Sequence, residues 1–303
     1  MYYLEAQDIV KIYGNYKALD GVSVQVPKGI VYGLLGPNGA GKSSLIRIIN
    51  RITAPDSGQV LINGKISTSS DVFNIGYLPE ERGLYKKMKV AEHVIFLAQL
   101  RGLSKQEAKE KTAFWLKKFD ILSWENKKVE ELSKGMQQKI QFIATVIHDP
   151  DLFIHDEPFS GFDPINAELL KNEILELKAR GKTIILSTHN MESVEELCDE
   201  ITLINTSKVV LQGNVNDIKN HFKNHIFSLR VAGNEFDMQS EHFTILSQQT
   251  ERDTTEIRLQ RTKEETNSIL IRDVSDKYEI LSFEEVLPTM NDIFIQIVAN
   301  KAE

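Results

Sequence analysis

The sequence predicts an α/β protein built on a mainly parallel sheet, and three observations carry that expectation. Short apolar segments recur at Ile30–Leu35, Leu152–His155 and Thr183–Ser187, with turn residues and helix-like spacing between them. Strands that are apolar on both sides belong to sheets covered by helices on both faces. Each of the three runs into a group suited to chemistry: the glycine loop Gly36–Gly41, the pair Asp156-Glu157, and His189. Ligands of open α/β sheets gather beyond the carboxyl ends of the strands, where all three fall. Past Gly213 the pattern changes to strict alternation, which predicts a second, small α+β domain.

In chain order, Tyr2 to Tyr13 and Val22 to Val26 read as strands, with Gly14-Asn15 and Pro27-Lys28-Gly29 as turns. They open an antiparallel β region. Ser44 to Ile49 reads as the first turns of a helix, which Ala54-Pro55-Asp56-Ser57-Gly58 stops. Gln59 to Gly64 is a short strand and turn. Phe73 to Leu78 is another strand, running into the polar loop Pro79-Glu80-Glu81-Arg82-Gly83-Leu84-Tyr85. Helical spacing takes over from Val90 to Trp124, and a further helix opens at Leu132-Ser133-Lys134-Gly135-Met136. The stretch of about 86–150 is therefore expected to form a helical subdomain inside a first domain, 1–215.

The expected second domain is 216–303. It holds alternating segments around Phe227, Leu229 and Val231 and around Ile257 and Leu259, a helix from Glu264 to Val274 and a strand from Glu279 to Phe283. Met290, Ile293, Phe294 and Ile297 then share one face of a last amphipathic helix. A regulatory ligand site and an extra dimer contact both remain open as its role.

The bulk properties exclude several classes. With a formal net charge of −7, the chain as a whole offers nucleic acid no attraction. One cysteine, Cys198, precludes an intrachain disulfide and suits a reducing compartment. The start shows no signal-peptide pattern, and no apolar run approaches the roughly 20 residues of a membrane helix. A role at a membrane would need another chain to span it.

Gly36-Pro37-Asn38-Gly39-Ala40-Gly41-Lys42-Ser43 reads G-x-x-x-x-G-K-S, between a strand and a helix. Glycines let successive N–H groups converge on one anion, and the helix N-terminus adds its dipole. Lys42 is suited to reach the β- and γ-phosphates and the Ser43 hydroxyl to ligate Mg²⁺. This is the phosphate loop of a P-loop nucleoside triphosphatase. Asp156 and Glu157 end an apolar strand on what alternation makes opposite faces, so they are assigned separate jobs. Asp156 holds the Mg²⁺ shell, and Glu157 takes the proton of the attacking water.

Taken together, these motifs resemble the ATP-binding subunits of ABC transporters over about residues 1–215. Gly36–Ser43, with Ser44, resembles Walker A; Leu152–Asp156 with Glu157 resembles Walker B and its catalytic glutamate. Leu132–Met136 is similar to the LSGGQ signature, Ser160-Gly161-Phe162-Asp163 to the D-loop, and His189 to the switch histidine. Tyr13 matches the aromatic that stacks on adenine. The wording around Gly76–Tyr85 and Leu132–Met136 resembles the bacterial sodium- and drug-efflux subgroup. The resemblance implies a Mg²⁺-dependent ATPase, cytoplasmic and peripheral on the inner face of the cell membrane. It also implies a head-to-tail dimer with a second ATP-binding subunit, in which Ser133, Gly135 and Asp163 serve the nucleotide interface. A separate transmembrane permease would dock near the Glu80 loop and the helical insert. A soluble ABC-type ATPase not coupled to transport is the rival reading.

The chain departs from the family pattern at Glu80, where a glutamine is usual, at Lys134 and Met136 in the signature, and at His155. Glu80 is assigned to the Mg²⁺ shell. His155 is read as a core histidine with its hydrogen bonds satisfied, His221 and His225 as a solvated helix face, Lys86-Lys87-Met88-Lys89 as a solvated charge run, and Cys198 as a small buried hydrophobe.

Overall fold

The computed structural model describes residues 1–81, 83–262 and 266–299, and divides into two compact units, Met1–Val215 and Asn216–Glu303. Arg82 of the Glu80 loop and the first residues of the expected Glu264–Val274 helix lie outside the described residues.

In the first unit, β1 (Tyr2–Tyr13) and β2 (Tyr16–Pro27) form a long antiparallel hairpin. Then come β3 (Val31–Leu35), α1 (Lys42–Ile49), β4 (Ser57–Ile62), β5 (Lys65–Ile66) and β6 (Ile75–Leu78). The helical stretch holds α2 (Val90–Leu100), α3 (Lys105–Lys118) and α4 (Lys134–Val146). Next follow β7 (Leu152–Asp156), α5 (Pro164–Ala179), β8 (Thr183–Thr188), α6 (Met191–Leu197), β9 (Glu200–Asn205) and β10 (Lys208–Asn214), with α7 (Val215–His221) at the junction of the units. A six-stranded sheet runs β10-β9-β3-β8-β7-β6, and a four-stranded antiparallel sheet runs β2-β1-β4-β5.

In the six-stranded sheet every pairing except β9 with β10 is parallel. Parallel strands need helical crossovers on both faces. That accounts for the uninterrupted burial of Val31–Leu35, Leu152–Asp156 and Thr183–Thr188. Register sets Leu35 beside Thr188 and Asp156 beside Ser187, so three loops emerge side by side from adjacent strand ends.

Local chemistry sets the helix starts. Ser104 and Glu107 form a reciprocal capping box on α3, with Glu107 N–H donating to Ser104 Oγ and Ser104 N–H to the Glu107 carboxylate. Asp163 accepts from the N–H of Asn166 at 3.0 Å ahead of Pro164, a residue preorganised for a first helical turn. Lys118 of α3 bridges Glu173 and Glu176 of α5, tying the helical stretch to the sheet's covering layer.

The second unit contains β11 (Ile226–Ala232), β12 (Phe243–Glu251), β13 (Thr254–Arg261), α8 (Asn267–Ser275), β14 (Ile280–Val286) and α9 (Met290–Ala299). Its antiparallel sheet runs β12-β13-β11-β14. Phe227, Leu229, Val231, Ile257 and Leu259 face α8, where Leu270 and Val274 complete the core.

Three expectations need correction. His221 ends α7, whereas His225 lies beyond it with a left-handed φ of 52°, so the two histidines share no helix face. Burial of His155 is complete, yet neither ring nitrogen has a hydrogen-bond partner; the ring sits between Phe142 and Phe153 at centroid distances of 5.6 and 6.1 Å. Strand alternation does not separate Asp156 from Glu157, because Glu157 has already left the strand with a φ of 49°.

Candidate functional site

The loop after β3 is shaped by close approaches that only glycine permits. Gly36 has φ 147°, and a Cβ there would lie 2.1 Å from the carbonyl oxygen of Ile204. Gly41 has φ 113°, and its Cβ would lie 2.3 Å from that of Ala18. Backbone thus packs on backbone at both ends of the loop. Lys42, 6% exposed, folds back over the loop it follows, donating to the carbonyls of Gly36 at 2.6 Å and Pro37 at 3.2 Å. Burial lowers the pKa of its ammonium group, while Glu157, Asp156 and Glu80 pull it back up. The ammonium group is thus held on two carbonyls of the loop.

Tyr13, Asn38, Gly39, Ala40, Gly41, Lys42, Ser43, Ser44, Glu80, Asp156 and Glu157 line a single cleft of about 180 Å³. Tyr13 is 43% exposed, with the Lys11 ammonium 5.4 Å from its ring centroid. Sequence reasoning missed Tyr16, which also lines the cleft and donates its hydroxyl to the Gly39 carbonyl at 2.7 Å, bracing the loop. A tyrosine three residues past Tyr13 was the available hint, but the bond joins the start of β2 to the loop after β3 and cannot be read locally.

At the end of β7, Asp156 is 5% exposed. Burial raises its pKa, the neighbouring Glu157 charge adds to that, and Lys42 opposes it. The left-handed turn at Glu157 costs about 1–3 kcal/mol for a residue with a Cβ. Its N–H donates to the Ser187 carbonyl at 2.8 Å, which holds the turn. His189 Nδ1 lies 2.7 Å from one Glu157 oxygen, and the Thr188 hydroxyl donates to the other at 3.4 Å. So β7 and β8 together fix a carboxylate at the cleft with a histidine as its second-side partner.

The donor set fits a hard divalent cation. Ser43, Glu80 and Asp156 line the same cleft, and their oxygen atoms are the kind that could hold such an ion. Among the described residues no three His, Cys, Asp or Glu side chains form a metal cluster. Mg²⁺ is commonly held by one or two protein oxygens together with substrate phosphates and water.

Ser133, Gly135 and Asp163 stand apart from these lining residues. Ser133 caps α4, its hydroxyl accepting from Met136 N–H at 3.3 Å, and both Asp163 oxygens are taken by Asn166. Within α4, Gln141 donates to the Pro79 carbonyl at 3.1 Å and Gln138 to that of Ser160. The helix that begins at Ser133 is thereby tied both to the Glu80 loop and to the segment before Asp163. These glutamine contacts had no sequence signature.

Fold and cleft together define a P-loop nucleoside triphosphatase. Residues 19–160 match the ABC transporter family model, and residues 213–298 match the C-terminal domain of DrrA1-3-like ATP-binding proteins. The chain is 42% identical over 295 residues to the ABC transporter ATP-binding protein YhaQ of Bacillus subtilis (strain 168), covering 97% of this chain and 98% of that one. It is 35% identical over 218 residues to the linearmycin resistance ATP-binding protein LnrL of the same organism, covering 71% and 70%. Among solved structures, an ATP-binding subunit of an ABC transporter superposes with a TM-score of 0.68 at 32% identity, covering 73% of this chain and 93% of the other. The chain belongs to the ABC transporter ATP-binding family and is an ATPase subunit.

Proposed function

We propose that two copies of the chain close head to tail around Mg-ATP, hydrolyse it, and drive export through a separate transmembrane subunit. The observation that carries this reading is the Glu157–His189 pair, 2.7 Å apart, on a cleft that also holds Lys42 and Asp156. Tyr13 offers its face to adenine, and the loop amides with Lys42 hold the phosphates. Ser43, Asp156 and Glu80 would hold Mg²⁺, which would supply charge neutralisation at the phosphates. Glu157 accepts the proton of the attacking water, and His189 fixes the orientation of that carboxylate.

Ser133 and Gly135 lie outside the cleft of their own chain, so the reading assigns them to the γ-phosphate bound by the partner copy. Asp163 then stands at the interface of the two copies. Among the described residues no helix is long and apolar enough to cross a membrane. In this reading the chain sits on the inner face of the cell membrane, held there by the subunit that spans it. Export is supported by the relative named for linearmycin resistance.

Complementation tests the shared site. Lys42→Ala removes the phosphate cation, and Gly135→Asp sets a negative charge where the partner's phosphate would lie; a Cβ at Gly135 meets nothing within 4 Å, so the fold is preserved. Each variant alone should be nearly inactive, while the mixture regains activity from one intact composite site. A mixture no more active than its parts refutes the head-to-tail arrangement.

A further inference from the structure

A second cleft, of about 400 Å³, lies beside the Glu80 loop. Phe73, Leu84, Leu97, Leu100 and Ala144 give it an apolar wall. Phe73 is 58% exposed and Leu100 55%, so this wall presents two large apolar side chains to solvent. Gln141 also lines it, so whatever sits there touches α4 as well as the loop to which Gln141 is bonded.

Arg101, just past the end of α2, is the one cation among the described lining residues. Its guanidinium donates to the Val72 carbonyl at 2.8 Å. Burial lowers its pKa, and no carboxylate among the described residues pulls it back. An arginine keeps its proton regardless, so the charge stays in an apolar wall without a counter-ion. His148, on the same wall, adds none: burial first, and Arg101 second, bring its pKa down to about 4.

We infer that Arg101 selects the transmembrane subunit, pairing its guanidinium with a single Asp or Glu on a docking segment whose other contacts are apolar. This rests on the reading that the membrane subunit docks beside the Glu80 loop. The chemistry discriminates in two directions. A segment with no acid leaves the guanidinium covered and unpaired, and a segment with a lysine is repelled. A carboxylate matches the planar fork with two parallel bonds, and the apolar wall keeps water from competing.

The test uses the full chain, tagged and captured from detergent-solubilised membranes together with its transmembrane subunit. Retention of that subunit is measured for wild type, Arg101→Gln, Arg101→Glu and Ala144→Trp, each checked for unchanged ATP binding. Arg101→Gln should weaken retention by roughly 30-fold or more, the usual consequence of breaking a covered charge pair. Arg101→Glu should weaken it further, and replacing one cytoplasmic Asp or Glu of the membrane subunit by Lys should restore it. Ala144→Trp, which fills the cleft, should also abolish retention. If only Ala144→Trp has an effect, the cleft docks the subunit but the acid pairing is wrong. If none of the variants has an effect, or the wild type retains no membrane subunit, the docking reading falls and the pairing with it.

Discussion

Among the described residues, the buried side chains of Lys42, His93, His155, Asp156 and Glu173 all lie in Met1–Val215. In Asn216–Glu303 the buried polar side chain is Thr255, which donates to the Gly233 carbonyl at 2.8 Å, and the rest of the core is apolar. Burying charge costs stability unless it is compensated, and left-handed backbone at a residue such as Glu157 adds to the cost. The first unit carries both at Lys42, Asp156 and Glu157, where phosphate chemistry needs a dry ammonium group and carboxylates, and it also buries His93, His155 and Glu173 away from the cleft. Among the described residues the second unit has left-handed backbone at His225 and Arg252 but no buried charge, and its alternating strands follow from side-chain burial alone. The contrast separates residues kept for reaction from residues kept for folding.

The largest expected effect is at Glu157. Glu157→Gln should lower phosphate release by about 10²–10⁴, the usual worth of a general base, while titration with a fluorescent ATP analogue shows binding retained. Parental turnover in this variant would remove Glu157 from the reacting side of the contrast.

His155 tests the same division from the opposite direction, since it is buried, unpartnered and outside the cleft. His155→Phe should raise stability by about 1–3 kcal/mol in denaturant melts, because an unsatisfied polar ring is replaced by an apolar one among Phe142 and Phe153. The pH dependence has a definite sign. Burial lowers the pKa of His155 to about 3, and those of His93 and His148 to about 4. The unfolded rings take protons below about 6.5 and the folded ones do not, so stability is full above that pH and is lost as pH falls towards 3–4. Each ring contributes up to about 1.4 kcal/mol per pH unit, and His155→Phe should flatten the slope by its share.

The smallest expected effect is at Glu80. Glu80→Gln should shift the Mg²⁺ dependence of ATPase several-fold, on the order of the difference one carboxylate near a hard cation makes. An unchanged Mg²⁺ curve would take Glu80 out of the metal shell.

Much of the cleft could be read from the sequence because its parts are local. Gly36 to Ser43 lie on consecutive residues, and Asp156 with Glu157 closes a strand whose apolar run is unmistakable. What escaped depends on distance in the chain or on backbone geometry. Tyr16 reaches Gly39, and Gln141 reaches Pro79, across tertiary contacts with no residue pattern. The turn at Glu157 is set by Ser187 on the neighbouring strand, not by glycine. Strand β12 was missed because its sequence is polar after Leu246: it is an edge strand, exposed along most of its length. The β9–β10 hairpin was missed as well: in β9 the buried Thr202, 2.6 Å from the Tyr32 hydroxyl, interrupts the apolar run of Ile201, Leu203 and Ile204.

The most direct measurement of the central claim is ATPase rate per chain against protein concentration, at saturating Mg-ATP and without the membrane subunit. A site completed by Ser133 and Gly135 of a second copy requires the specific rate to rise with concentration and to level off as pairs form. A specific rate that stays constant down to concentrations where sedimentation shows single chains would mean that each cleft works alone.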